Sequence, residues 1–322
     1  MIMKKTTKLL LLGAGLLLIG VIIFVSVLAA NDWDYDNFGK RVYVRNEHII
    51  EQNFNNFDFD IEDAHIQFFL SETDEIKVVC LEKEGLEHSV NVIDDTLCVK
   101  SSDNKTLLDY IQIDFNRPQI KVYLPTTEYN SLDINGDTGF VSIGDSWKFN
   151  EIDIEVSTGD IRCGAICTGD VEITTSTGKV FVWGFGIENN LSINTSTGDV
   201  FVDDIEVKGN IDIEVSTGKV ELEEVKCLNL NIKASTGTTK LLNVNCLNKT
   251  IIKSSTGNVF FSNFNAEEID VNTSTGNVKG TIKSPMDYEA SSDTGKVIVP
   301  LDQGSNKCII NTDTGDIIIT TD

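Results

Sequence analysis

The stretch IDIEVSTGKVEL at residues 211–222 decides the fold, because close copies of it recur along most of the chain. Apolar and polar residues alternate on both sides of its Thr217-Gly218 pair. Alternation with a period of two is typical of a β-strand with one buried face, and valine and isoleucine favour strands. The unit therefore predicts two short strands joined at a glycine corner.

A Thr-Gly pair preceded by serine or aspartate occurs ten times, and the nine intervals between successive glycines of these pairs are all 19 or 20 residues. A fixed period of this length indicates a solenoid, in which each repeat forms one coil and stacked coils share a core. We expect an all-β, parallel β-solenoid with a positive φ at each glycine corner. The predicted corner residues are Gly139, Gly159, Gly178, Gly198, Gly218, Gly237, Gly257, Gly276, Gly295 and Gly315.

The N-terminal segment is apolar from Leu9 to Ala30, and Lys4, Lys5 and Lys8 precede it. A bilayer core needs about 20 apolar residues, and a lysine-rich flank favours the cytoplasmic side. The sequence thus predicts a single-pass membrane protein with a cytoplasmic N-terminus and an extracellular C-terminal body. A cleaved signal peptide is the alternative, although its apolar region is usually about 7–15 residues long.

These features divide the chain into five segments. We expect a cytoplasmic tail over residues 1–8, a transmembrane helix over 9–30 and a linker over 31–54. Residues 55–130 contain apolar and alternating runs without the Thr-Gly corner, which predicts degenerate coils that cap the stack. Residues 131–322 are predicted to form the regular coils.

The charge and the motifs exclude several classes of protein. A formal net charge of −24 repels phosphate backbones and argues against nucleic-acid binding. All three histidines precede the first Thr-Gly pair, so no zinc site or Cys/His catalytic pair is expected within the repeats. The Asp-Thr-Gly triplets at 137–139, 293–295 and 313–315 resemble those of aspartic proteases but fall on the repeat register. We expect no enzyme, and no catalytic, cofactor or metal-binding residues.

The cysteines leave two interpretations open. Cys227 and Cys246 lie one coil apart in the same predicted column, so about 4.8 Å should separate their Cα atoms. That spacing allows a disulfide, but parallel Cβ directions rarely suit the S–S torsion angle. Two buried thiols are therefore favoured, with a disulfide bridge as the alternative.

Three features of the chain resemble a bacterial family of unknown function described as "putative adhesins" with β-strand repeats. They are the segment IKVYLP at 120–125 with Tyr129 and the motif at 132–134 after it, the Ser-Thr-Gly repeats, and the N-terminal apolar segment. The resemblance covers about residues 55–322. It implies a β-solenoid at the cell surface and supplies no catalytic residue.

On these grounds we expect an adhesin-like interaction module for a cell-envelope polymer or protein of unknown identity. The alternatives are an envelope-sensing or regulatory protein acting through a membrane partner, and a polysaccharide-cleaving enzyme. The chain also stops seven residues after its last Thr-Gly pair. We expect Ile317, Ile318 and Ile319 to form an exposed end that pairs with a second copy or with a partner's strand.

Overall fold

The computed structural model describes residues 5–30, 42–102, 117–125, 128–184, 186–301 and 304–321. The chain divides into two units. The first contains the single described helix, α1 (Lys5–Ala30). The second is an all-β body that begins at Val44.

Helix α1 covers the predicted membrane segment, and the structure contradicts that prediction. Within the described residues no helix has the length and apolar character to cross a membrane. The prediction of a single-pass anchor over 9–30, with a cytoplasmic tail and an external body, is therefore wrong. Residues 1–4 and 31–41 lie outside the described chain.

The body is a parallel β-solenoid, as predicted, built from one sheet of 14 strands and one of 15 strands. In each regular coil the strand before the Thr-Gly corner joins the 14-stranded sheet, and the strand after it joins the 15-stranded sheet. We call these the pre-corner sheet and the post-corner sheet.

The pre-corner sheet contains β2 (Asn56–Asp63), β5 (Ser89–Ile93), β6 (Thr96–Lys100), β8 (Glu128–Thr138), β10 (Lys148–Thr158), β12 (Ile166–Cys167), β13 (Val171–Thr177), β15 (Leu191–Thr197), β17 (Asn210–Thr217), β19 (Asn229–Thr236), β22 (Lys249–Thr256), β24 (Glu268–Thr275), β26 (Met286–Thr294) and β28 (Asn306–Thr314). The post-corner sheet contains β1 (Tyr43–Ile50), β3 (His65–Leu70), β4 (Ile76–Lys83), β7 (Gln119–Leu124), β9 (Val141–Ile143), β11 (Ile161–Cys163), β14 (Val180–Trp183), β16 (Val200–Glu206), β18 (Val220–Cys227), β20 (Thr239–Leu242), β21 (Asn245–Cys246), β23 (Val259–Phe264), β25 (Val278–Ile282), β27 (Val297–Ile298) and β29 (Ile317–Thr321).

The inward side chains form one core that continues from coil to coil. In β17, Ile211, Ile213 and Val215 are at most 2% exposed, while the residues between them face solvent. Ile213 lies directly opposite Ile232 of the next coil, and the same pairing holds along the strand. Each coil therefore completes the burial of its neighbour, as expected for a structure in which no single coil has a core of its own.

The corner glycines are required mainly by the backbone of the neighbouring coil. The φ angle at Gly218 is 158°, positive as predicted, but Gly139, Gly257 and Gly295 are not among the glycines with positive φ, so the prediction does not hold at every corner. A Cβ atom at Gly218 would lie 1.8 Å from the carbonyl oxygen of Gly198, and one at Gly198 would lie 1.7 Å from that of Gly178. Because the obstructing atoms belong to the backbone, only glycine allows successive corners to stack at strand spacing.

A second column of residues, within or directly after the post-corner strands, has a left-handed backbone conformation. Asp204, Glu224, Asn243 and Asn263 adopt left-handed φ angles of 45°, 53°, 54° and 56°. The Asn243 amide donates to Glu224 at 2.8 Å, and the Asn263 amide donates to Asn243 at 2.7 Å. Asparagine tolerates this conformation better than most residues, and the stacked amides connect the bends of adjacent coils.

The N-terminal end is more irregular than a row of degenerate coils. Strands β2 and β3 pair in parallel with β8 and β9 of the first regular coil. Outside them lie β6 and β7, followed by β5 and β4, which run antiparallel to β6 and β7. Strand β1 pairs with β4 at the edge, so the segment expected to be a linker contains an ordered strand.

The C-terminal end has an inverted order of coils. Strand β28 lies between β24 and β26, and β29 lies between β25 and β27. The coil formed by β28 and β29 therefore stacks between the coil of β24 and β25 and the coil of β26 and β27, although it follows both in sequence. Ile317 and Ile319 are 0% and 1% exposed, so the prediction that they form a free end is wrong. The end of the solenoid consists of β26 and β27 instead.

We expect Gly218→Ala to lower the free energy of unfolding by at least about 2 kcal/mol, because the new methyl group would overlap the Gly198 carbonyl. Chemical denaturation measures the change. The matched control is Gly144→Ala, whose Cβ would have its nearest neighbour, Trp147, at 3.7 Å. Equal effects of the two substitutions would show that corner stacking does not require glycine.

The inverted coil order predicts different effects at two equivalent positions. Ile317 and Val297 pair with each other, but Ile317 is 0% exposed and Val297 is 41% exposed. Ile317→Asp should destabilise the body by about 3 kcal/mol or more because it buries an unpaired charge, whereas Val297→Asp should cost about 1 kcal/mol or less. If the coils stacked in sequence order, Val297 would be the interior residue and the ranking in thermal unfolding would reverse.

Candidate functional site

Three aromatic side chains form a surface on the outer face of the post-corner sheet. In β14, Phe181 and Trp183 point outward while Val180 and Val182 point into the core. Phe201 of β16 lies directly beside Phe181. The ring centroids of Phe181 lie 5.4 Å from Trp183 and 6.0 Å from Phe201. All three rings are half-buried, and we name this surface the aromatic shelf.

A glycine in the preceding coil accommodates the indole of the shelf. A Cβ atom at Gly164 would lie 2.7 Å from Cε2 of Trp183. The indole therefore rests on the backbone of the neighbouring coil, where a larger residue would displace it. This contact fixes the plane of a large aromatic ring that still faces solvent.

Three cations surround the aromatic shelf. Arg162 of β11 lies opposite Phe181, and its guanidinium is 5.6 Å from the ring centroid of Phe140. The ammonium of Lys219 is 5.4 Å from the ring centroid of Phe201, and Lys179 lines the cleft beside the shelf. Cations over aromatic faces are attracted by the ring quadrupole, and this attraction holds Lys219 next to the shelf.

The residue after each corner glycine alternates in charge along this part of the sheet. Asp160 accepts a hydrogen bond from the backbone N–H of Lys179 at 2.8 Å, and Asp199 accepts one from that of Lys219 at 3.0 Å. The Lys179 ammonium is 3.5 Å from Asp199. Burial, and then the charge of Lys240, lowers the pKa of Lys219. The column thus avoids the stacking of like charges.

The aromatic shelf separates two clefts of different charge. The first has a volume of about 310 Å³ and is lined by the shelf together with Asp160, Ile161, Arg162 and Lys179. The second has a volume of about 550 Å³, and its lining includes Asp145, Asp204, Glu206, Glu224 and Lys226. Trp183 lines both clefts. An aromatic face between charged clefts can bind a long ligand that has apolar ring faces and ionised substituents.

The sequence analysis above did not predict this shelf. A signal was present. Phe181, Phe201 and Phe260 each stand three residues after a corner glycine. The core was predicted from the inward-facing positions of each repeat, whereas these three phenylalanines occupy an outward-facing position.

The outer face of the pre-corner sheet carries a contrasting acidic column. Asp58, Asp133, Asp153 and Glu172 lie side by side on adjacent strands. Burial, and then the neighbouring carboxylates, raises the pKa of Asp133 and of Asp153. Lys100, whose ammonium is 3.2 Å from Asp58, offsets the charge at one end of the column. Here like charges do stack, at a cost to stability.

The predicted site residues are structural. The ten corner glycines line one edge of the solenoid, and Cys227 lies opposite Cys246 as a pair of free thiols, as favoured from sequence. The structure also brings together His48, Cys80 and Glu82, which the sequence did not connect. These three residues lie at the N-terminal end, away from the repeats, and are the described residues that could hold a metal ion.

The acidic column predicts that Asp153→Asn stabilises the protein at pH 7 by about 1 kcal/mol or less. A raised pKa means that the ionised carboxylate is disfavoured in the folded state, so the cost is present above the folded pKa. It disappears as pH falls below the ordinary aspartate pKa of about 4. Thermal unfolding against pH measures this. Asp212→Asn, at the same position between Ser192 and Asn231, is the control and should not stabilise.

Several solved structures are similar to this chain over most of its length. A "putative adhesin" from Parabacteroides distasonis is 12% identical, with a TM-score of 0.47 over 87% of this chain and 98% of that chain. A "putative adhesin" from Bacteroides fragilis is 14% identical, with a TM-score of 0.39 over 88% and 99%. A "putative lipid binding protein" from Parabacteroides distasonis is 16% identical, with a TM-score of 0.40 over 84% and 96%.

A comparison with curated protein sequences finds no match. The sequence model of one family does match, over residues 54–214 and again over residues 206–322. These ranges coincide with the solenoid and with the region whose motifs resembled a family of surface proteins with β-strand repeats. The resemblance is confirmed, and the chain belongs to the Toastrack DUF4097 family.

Proposed function

We propose that this protein is an adhesin-like binding module whose ligand lies across the aromatic shelf. The observation that carries the proposal is the shelf itself. Phe181, Trp183 and Phe201 are held on an outer face of the solenoid and are flanked by cations, in a chain with a formal net charge of −24. Aromatic residues with positive neighbours are typical of recognition surfaces.

The chemistry of the shelf favours an acidic polysaccharide. The C–H faces of sugar rings stack on aromatic rings, which accounts for Trp183 and the two phenylalanines. The planar guanidinium of Arg162 can form paired hydrogen bonds to a carboxylate or phosphate, and Arg162 is the single arginine within the repeats. Adjacent coils lie about 4.8 Å apart, so successive aromatic rings can engage successive sugars of one chain.

Binding without cleavage fits the residues that line the first cleft, which contains Arg162 and Lys179. Hydrolysis of a glycosidic bond generally requires a pair of carboxylates on either side of the bond. Among the described residues lining this cleft, Asp160 is the one carboxylate, and its partner is the backbone N–H of Lys179. We therefore propose that the polymer leaves the site unchanged.

Binding of the full chain to polygalacturonate, with neutral dextran for comparison, tests the proposal through quenching of tryptophan fluorescence and through calorimetry. We expect Trp183→Ala to weaken polygalacturonate binding about tenfold or more, because a stacked aromatic face contributes on the order of 1–3 kcal/mol. Arg162→Gln should weaken binding to polygalacturonate without creating binding to dextran.

Phe260→Ala is the matched control, since Phe260 occupies the same outward, half-buried position in a distant coil. It should leave polygalacturonate binding unchanged. Equal affinities of the wild type, Trp183→Ala and Phe260→Ala would contradict a role for the shelf. Release of shortened sugar chains would show that the protein is an enzyme.

A further inference from the structure

Edge strand β1 and its neighbour β4, at the N-terminal end, present polar side chains on one shared face. In β1, Asn46 and His48 stand two residues apart, and in the neighbouring β4, Cys80 and Glu82 do the same. Cys80 and Glu82 are both 0% exposed. Burying a carboxylate is costly unless it is paired or coordinates a metal, so its position in this face needs a specific partner.

The donor atoms of three of these residues converge. The imidazole nitrogen of His48, the sulfur of Cys80 and a carboxylate oxygen of Glu82 all lie within 4.8 Å of one another. Bond lengths of about 2.0–2.3 Å in a tetrahedral zinc site place its donor atoms roughly 3.3–3.8 Å apart. Small side-chain rotations would therefore bring the three atoms to bonding distance of one ion.

Glu82 is oriented and charged. The Asn46 amide donates to Oε1 at 2.6 Å, and His88 donates to Oε2 from its backbone N–H at 2.7 Å and from Nδ1 at 2.6 Å. Burial by itself would raise the pKa of Glu82, but the hydrogen bonds from His88 and Asn46 outweigh it and lower the pKa. Hydrogen-bonded partners of this kind position the carboxylates that ligate metals.

His48 lacks an equivalent partner. The Nε2 atom of His48 is buried without a hydrogen-bond partner in the described chain, and such atoms are rare enough to need an explanation.

We propose that His48, Cys80 and Glu82 bind a divalent transition-metal ion of the zinc class, with Asn46 and His88 positioning Glu82. Thiolate and imidazole ligands favour Zn²⁺ over Mg²⁺ and Ca²⁺, which prefer oxygen ligands. Binding forms one bond each to sulfur, nitrogen and oxygen, and it releases one proton from Cys80 to solvent. The ion ties edge strand β1 to β4, and the site is independent of the aromatic shelf.

The test uses the full chain, freed of metal by a chelator and titrated with Co²⁺ and then Zn²⁺. We expect one equivalent of Co²⁺ to produce the visible bands of a tetrahedral ion and a thiolate-to-cobalt charge-transfer band. Zn²⁺ should displace it and raise the melting temperature. Cys80→Ser should remove the charge-transfer band, and His48→Gln should weaken binding at least about tenfold.

The control is Cys98→Ser, which changes a half-buried thiol of β6 outside the cluster and should leave the spectrum and affinity unchanged. If Cys80→Ser fails to fold, the wild-type cobalt spectrum and His48→Gln decide the question. Absence of stoichiometric binding, a spectrum of oxygen ligands alone, or an affinity unaffected by His48→Gln would overturn the proposal.

Discussion

The structure depends on the contact between the corner glycines of successive coils. With no Cβ in the way, each corner can approach the glycine carbonyl of its neighbour to strand spacing, and both sheets then pair without a break. The inward isoleucines and valines stack because the corners do. The same constraint aligns the outward residues, so Phe181 meets Phe201 and Asp133 meets Asp153 without any local preference for those pairs.

The regular coils were predictable because their signals are local. Alternating apolar residues around Thr217-Gly218 specify two strands and a corner, and the repeat length specifies how they stack. The ends were not predictable on these grounds. The coil at β26 and β27 has the same register as the coil at β28 and β29. The Thr-Gly spacing that the two coils share does not set their order along the axis.

The two candidate sites differ in the same way. The aromatic shelf could have been found by aligning outward positions, since its phenylalanines share one place in the repeat. The cluster of His48, Cys80 and Glu82 could not, because it forms when edge strand β1 pairs with β4, about 30 residues away along the chain, outside any repeat. A site made by long-range pairing of irregular strands leaves no periodic signal.

The inverted order of the last two coils has a consequence for synthesis of the chain. Domains begin to fold from the N-terminus as they emerge, so β26 and β27 are available before β28 and β29. At that stage β24 offers β26 an open edge with matching register, and docking there would occupy the place that β28 finally takes. The native C-terminal end therefore forms only if β26 and β27 stay undocked until β28 and β29 are available, or if β28 and β29 displace them. Completion of the solenoid is in this sense an insertion, and it cannot occur until β28 and β29 have left the ribosome.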